Sequence, residues 1–323
     1  MRRLLRWVTR LIVSLLVFSG GAIAWAHWQM AGEGGPLPEP GDAAADATAD
    51  APLRLAIVNT ASQAMARSGT LAAAGDPTPD KPFIMSHPAF VLEWADGRLL
   101  LIDVGMTPEQ AVAFGRPLEW LRGAAPARPH ASTADALADD AGRVGGVVFT
   151  HPHTDHVGGL AALCARAGHA LPVFMSVAQA ERPNYTTRPG LADIAAAPCA
   201  RPRQLDGGAL MAVPGFPGVA VIDAGGHTPG SQIILATVGA GAAARRYAFT
   251  GDIVNNLDGI LYDIPKPWLY RTLLIPESDA RQQELRRFLK ALQDEAGYTL
   301  LVSHDQLALA ASGVPPWRPD ARD

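Results

Sequence analysis

The chain has 323 residues, enough for one large domain or two small ones, and is 48% hydrophobic and 18% charged. Its net charge is −4, with no basic stripe and no interleaving of basic with aromatic residues, which argues against nucleic acid as a partner. The balance is that of a globular protein.

The first stretch reads as a targeting segment. Arg2, Arg3, Arg6 and Arg10 form a positive end, and an apolar run follows from Leu11 to Ala26. Ala24-Trp25-Ala26 is a small-x-small cleavage site, so residues 1–26 read either as a signal peptide cut before His27 or as an uncleaved membrane anchor. The run is about 16 residues, on the short side for a spanning helix. Both readings export the rest of the chain, to the periplasm or beyond, and make the membrane a partner only through this segment. No Cys follows the run, so a lipoprotein anchor is excluded. Removal of 1–26 takes four arginines and no acid, leaving 23 basic residues against 31 acidic ones. Residues 27–52, rich in Gly, Pro, Ala and Asp, read as a disordered linker, and 53–323 as a single folded domain.

The domain opens on an alternating strand, 53–58. A hairpin follows, 90–94 and 98–102 about Asp96-Gly97, a strong turn signal. Helical patterns lie at 108–114 and 134–140. The apolar run Gly146-Val147-Val148-Phe149-Thr150 is a buried strand leading into His151-Pro152-His153-Thr154-Asp155-His156-Val157-Gly158-Gly159. A helix at 159–167 and a strand at Leu171–Met175 come next, and 181–208, with several Pro and no clear period, reads as a surface insertion. Strands return at 209–213, Val219–Asp223, Gln232–Val238, 246–249 and Tyr298–Val302. Residues 278–295 form the clearest helix, with Leu285, Phe288, Leu289 and Leu292 on one face. Meanders first, then strands mixed with helices, fit two packed sheets with helices outside better than a doubly wound parallel sheet. Cys164 and Cys199 are the only cysteines; they either pair or sit as separate buried thiols.

The nine residues from His151 to Gly159 carry the chemistry. Side chains two apart on extended backbone point the same way, so His151 and His153 can grip one ion together, while Asp155 and His156 fall where the chain turns into a helix. Chance alone gives such a pattern in about one chain in two thousand of this composition. Asp103, His227, Asp252 and His304 also end apolar strands, where loops commonly carry function.

In this order the motifs resemble the metallo-β-lactamase superfamily of metal-dependent hydrolases. Its five signature positions fall on Asp103, the cluster His151 to His156, His227, Asp252 and His304, and the resemblance spans about residues 53–310. It implies an α+β, four-layer αββα sandwich. It also implies two metal ions: His151, His153 and His227 on one, Asp155, His156 and His304 on the other, with Asp252 bridging. Asp103 would brace a ligand loop, and Asp155 would also act catalytically by hydrogen-bonding the reacting water. Imidazoles and carboxylates suit zinc, with iron or manganese able to take the same ligands. A hydroxide held between two zinc ions would then attack a carbonyl carbon. Asp252 stands where the commonest class of zinc β-lactamases carries Cys, and His153 where oxygen-reducing diiron relatives carry Glu. Acyl-homoserine lactonases often place a Tyr three residues after the bridging Asp; here that residue is Asn255, so Tyr262 or Tyr270 would have to substitute. The expectation is an exported hydrolase of a lactone or ester, with a glyoxalase-II-like thioesterase, a β-lactamase-like amidase or a non-catalytic metal-binding protein as alternatives. His87, Tyr262, Trp268 and Tyr270 are expected to line the substrate site.

Overall fold

The computed structural model describes residues 2–30, 34–43 and 50–318. The N-terminal helix α1 (Arg2–Trp28) precedes the sandwich. The first sheet is built from β1 (Arg54–Met65), β2 (Phe83–Glu93), β3 (Leu99–Ile102), β4 (Arg128–Pro129), β5 (Val144–Val148), β6 (Leu171–Met175) and β7 (Ala200–Gln204), in the order β4-β1-β2-β3-β5-β6-β7. Its β1, β2 and β3 run antiparallel, whereas β3, β5, β6 and β7 run parallel. The second sheet holds β8 (Met211–Ala212), β9 (Val219–Asp223), β10 (Gln232–Val238), β11 (Arg245–Gly251) and β12 (Tyr298–Val302), in the order β12-β11-β10-β9-β8.

Strand alternation decides the layers. On β2, Phe90 and Leu92 face the second sheet, and Ala89 and Val91 face the helices outside. Phe90 meets Phe249 of β11 edge to face at 4.8 Å in the middle of the sandwich. The outer face of the first sheet is covered by α3 (Thr133–Leu137), α5 (Leu160–Ala167) and α7 (Arg188–Ala196). The outer face of the second sheet is covered by α9 (Asp279–Ala296), whose Leu285, Phe288, Leu289 and Leu292 form the stripe expected from the sequence. The result is the four-layer αββα sandwich.

The β2–β3 hairpin turns at Asp96-Gly97, with Gly97 at φ +88°. Two expectations need correcting. Residues 181–208 are not an irregular insertion: they supply α7 and the edge strand β7. Periodicity missed α7 because its Pro189 and Gly190 serve a turn and a close approach rather than an apolar stripe; a Cβ on Gly190 would stand 2.1 Å from the Pro152 carbonyl oxygen. Residues 34–43, inside the stretch read as a linker, lie along the domain. Gly35 N–H donates to the Asp223 carbonyl, the Arg281 guanidinium donates to the Gly35 carbonyl, and Ala43 is fully buried. Composition gave no sign of this because the segment is fixed mainly through its backbone. Cys164 and Cys199 are joined in a disulfide that ties α5 to the segment before β7.

Candidate metal centre

Five strands end at one edge of the sandwich, each delivering a polar side chain. Asp103 follows β3, the His151–His156 loop follows β5, His227 follows β9, Asp252 follows β11 and His304 follows β12. Asp155 and His156 ride on the one-turn helix α4 (Thr154–Val157). Gly159 lets this loop sit tight against the chain after β3, since a Cβ there would stand 2.7 Å from the Val104 carbonyl oxygen.

The donor atoms converge. His151 Nε2 and His153 Nδ1 are 3.0 Å apart, and His227 Nε2 is 3.3 Å from His153 Nδ1. Asp252 Oδ2 lies 3.8 Å from His151 Nε2 and 3.6 Å from His227 Nε2. On the other side, Asp252 stands 3.3 Å from His156 Nε2 and 2.9 Å from His304 Nε2. Asp155 Oδ2 is 3.6 Å and 3.5 Å from the same two nitrogens. Two groups, His151/His153/His227/Asp252 and His156/Asp252/His304, each hold their donor atoms within 4.8 Å, and Asp252 belongs to both.

These residues fit metal ions on two counts. His156 Nε2 and Asp252 Oδ1 are buried without any hydrogen-bond partner, a costly arrangement that a cation would relieve. The ring nitrogen facing away from the centre is also anchored on every histidine, as metal-ligating imidazoles require. His156 Nδ1 donates to Asp103 (2.8 Å), His227 Nδ1 to Glu277 (2.6 Å), and His304 Nδ1 to the Ser86 carbonyl (2.7 Å). His153 Nε2 lies 2.9 Å from the Thr186 hydroxyl, and His151 Nδ1 3.2 Å from that of Thr150. Asp103 is itself held by the Thr150 N–H and hydroxyl, each at 2.8 Å, and sits at φ +57°, a conformation that Asp tolerates better than most residues.

The family model for the metallo-β-lactamase superfamily matches residues 85–304, from just before His87 to the final histidine of the centre. The chain belongs to that superfamily. It is a metal-dependent hydrolase of the metallo-β-lactamase fold, with a buried His/Asp metal site. No curated protein matches the sequence. Solved structures agree on the fold. An N-acyl homoserine lactone hydrolase with the product N-hexanoyl-L-homoserine at its catalytic metal centre superposes with a TM-score of 0.58 at 16% identity, over 81% of this chain and 96% of that one. AiiA from B. thuringiensis, in a mutant form with N-decanoyl-L-homoserine at its active site, gives 0.57 at 16% identity, over 81% and 96%. A quorum-quenching N-acyl homoserine lactone hydrolase gives 0.56 at 17% identity, over 80% and 95%. At such identities the likeness speaks for fold alone.

Protonation in this hydrolase follows burial and the carboxylates. Burial holds His153 down at about 3, helped by the neighbouring His227, and lowers His151 and His227 as well. Burial also disfavours charge on His156, yet Asp103, Asp155 and Asp252 outweigh it and raise that ring well above the ordinary value. His304 is raised through Asp252 and Asp155 in the same way, against burial. A metal needs these nitrogens unprotonated, so a raised value extends proton competition upward in pH. Metal affinity is therefore expected to fall as pH drops from 8 to 6, by about 10-fold per unit for each proton displaced. A competition titration against a coloured chelator at several pH values measures it, and a flat affinity would contradict the assignment.

Of the residues expected to line the substrate site, Tyr270 stands at a cavity beside the metal centre. It borders a cavity of about 440 Å³ with Met85, Phe114, Leu118 and Ile275, and Asp155, Asp252 and His304 form the cavity's polar end. Burial, then Asp252, Glu277 and Asp155, push the Tyr270 phenol well above its ordinary value, so it remains a donor. The other three lie elsewhere. Tyr262 and Trp268 are 57% and 58% exposed on the outside of their loop. His87 is buried behind Asp155, with Nδ1 3.1 Å from Oδ2, because β2 carries it into the sandwich edge rather than to the mouth. Burial lowers His87, so the ring is a neutral donor to Asp155.

Sequence position puts Lys266 close to Asp252, but the roles of Lys266, Glu277 and Asn184 were not read from it. Glu277 and Lys266 form a buried ion pair at 2.5 Å against His227, and Lys266 also donates to the Asp252 carbonyl. Asn184 Oδ1 accepts from the Thr186 N–H and hydroxyl, fixing the residue that holds His153. A lone Lys between two prolines and a lone Glu after Ile275-Pro276 were the available signals.

Proposed function

We propose that this hydrolase opens a lactone or carboxylic ester on a small molecule bearing an apolar acyl chain, using two zinc ions on the exported side of the membrane. The observation that carries this reading is the cavity: metal-site carboxylates and imidazoles at one end, and an apolar wall of Met85, Phe114, Leu118 and Ile275 along its side. A reactive carbonyl fits the polar end and its chain fits the wall. The acyl-homoserine products held by the structural neighbours lend support, as does Asp at position 252. The Cys164–Cys199 disulfide suits an oxidising compartment, consistent with export.

In this mechanism His151, His153 and His227 would hold one ion, and Asp155, His156 and His304 the other, with Asp252 touching both. When bound, the ions supply an acidified water and Lewis-acid stabilisation of the carbonyl oxygen. Asp155 orients the attacking water and accepts its hydrogen bond. Its carboxylate stays ionised because His156, the His87 hydrogen bond and His304 together overcome the upward push of burial. Asp103 and Glu277 fix the ring orientations of His156 and His227. Tyr270, a phenol that keeps its proton, donates to the substrate carbonyl or ring oxygen as charge develops there.

The deciding experiment is a panel of lactones, aryl esters, thioesters and nitrocefin, of graded acyl length, with zinc, iron or manganese restored after chelation. Lactone or ester turnover rising with chain length supports the reading. Turnover confined to thioesters or nitrocefin would give it up for a glyoxalase-II-like thioesterase or an amidase. Tyr270→Phe is expected to lower kcat about 100-fold with metal content unchanged. An unaltered kcat would remove Tyr270 from the mechanism.

A further inference from the structure

We propose that the rim of the active-site mouth rests on a lipid bilayer spanned by α1, so that the cavity opens at the membrane surface. α1 is a 27-residue helix whose 18-residue apolar window has a mean hydropathy of 1.7, with none of that window buried against the protein. Its length, about 40 Å, suffices to cross a hydrocarbon core of about 30 Å. Four arginines mark one end, and Trp25 and Trp28 mark the other, the distribution found where a helix spans with its basic end inside and aromatic rings at the opposite interface.

That aromatic end is fixed to the site's rim. His27 Nε2 lies 3.2 Å from the Thr272 carbonyl, and Met30, buried, receives a hydrogen bond from Asn184. Tyr185 lines both the substrate cavity and the cleft between the end of α1 and Leu273. Beside Leu274 at the mouth, the segment that ends in the π-helical turn Tyr270–Leu274 is apolar and bare: Trp268, Leu269, Leu273 and Leu274 are 58%, 60%, 44% and 58% exposed. A soluble surface rarely concentrates such residues without a covering partner. Because they continue from the apolar end of α1, the partner that covers both is lipid, with Trp268 joining Trp25 and Trp28 at headgroup level. A substrate with an acyl chain would then enter from the bilayer rather than from bulk water.

The inference rests on α1 being retained, and the test separates that from docking. Both native cysteines are paired, so one introduced Cys takes a fluorophore selectively. The full chain carrying Leu269→Cys, and separately Leu273→Cys, is reconstituted into phosphatidylcholine–phosphatidylglycerol vesicles with nitroxide-bearing lipid. The control is Ala242→Cys, at the opposite end of the β10 and β11 strands from the site. Quenching at 269 and 273 at least about 3-fold stronger than at 242, with metal content matching the unlabelled chain, is the expected result. Equal quenching at all three positions overturns docking while leaving the anchor standing, and so does contact between labels of two chains without lipid quenching. A membrane-extracted chain whose mass shows cleavage after Ala26 overturns the inference at its root. None of these readouts depends on which substrate is hydrolysed.

Discussion

Asp252→Ala is expected to strip at least one metal from each chain and to lower kcat/KM by about 10³-fold or more. The carboxylate stands between both donor groups, 2.9 Å from His304 and 3.3 Å from His156 on one side and 3.6 Å from His227 on the other. Burial alone would push it up, but His304, His151 and His156 hold it well below the usual carboxylate range, so it is ionised whenever ions bind. Alanine removes both oxygens and leaves imidazoles facing each other with nothing to bridge them. Asp252→Asn keeps the volume and one oxygen, so it should retain more metal than alanine while remaining strongly impaired. Elemental analysis after gel filtration, paired with rates on the best substrate of the panel, tests this. An alanine variant with two ions and full rate would falsify the bridging role.

Much of this centre was legible in the sequence because metal ligation forces residue types and spacings that chance rarely supplies. His151-x-His153-x-Asp155-His156 predicted one strand end and one helix start, and the chain does turn into α4 at Thr154. The distant donor residues were recognisable because each follows an apolar strand that must be buried in the sandwich. The two-sheet architecture was equally readable, since Phe90 and Leu92 alternate with Ala89 and Val91 on a strand covered on both faces.

What stayed hidden depended on long-range packing. His87 looked like a mouth residue because it precedes the hairpin, yet β2 extends back to Phe83 and draws it behind Asp155. Tyr262, Trp268 and Tyr270 sit on the same loop, and only its backbone path decides which ring enters the cavity; the π-helical turn at Tyr270–Leu274 rotates Tyr270 inward. Residues 34–43 carry no apolar period because their backbone does the binding. Pairing of Cys164 with Cys199 needed the approach of α5 to the segment before β7, which no spacing rule supplies.

The pair Lys266–Glu277 leads to the second large effect. Lys266→Met is expected to destabilise the fold by about 3–5 kcal/mol, because it leaves a buried carboxylate without its cation. Both groups are only a few per cent exposed, Lys266 at 3% and Glu277 at 4%, so water cannot replace the lost partner. Metal affinity should change far less, since Glu277 remains to accept from His227 Nδ1 and to turn the lone pair of Nε2 toward the centre. The double variant Lys266→Met/Glu277→Leu separates the two consequences. Removing both charges abolishes the unpaired one, so much of the stability should return. The acceptor for His227 is now missing as well, so metal affinity should fall about 10- to 100-fold. Thermal unfolding of the metal-free proteins and chelator competition on each variant measure the two quantities independently. Undiminished metal affinity in the double variant would mean that Glu277 acts on the fold alone and that His227 is oriented by its other neighbours.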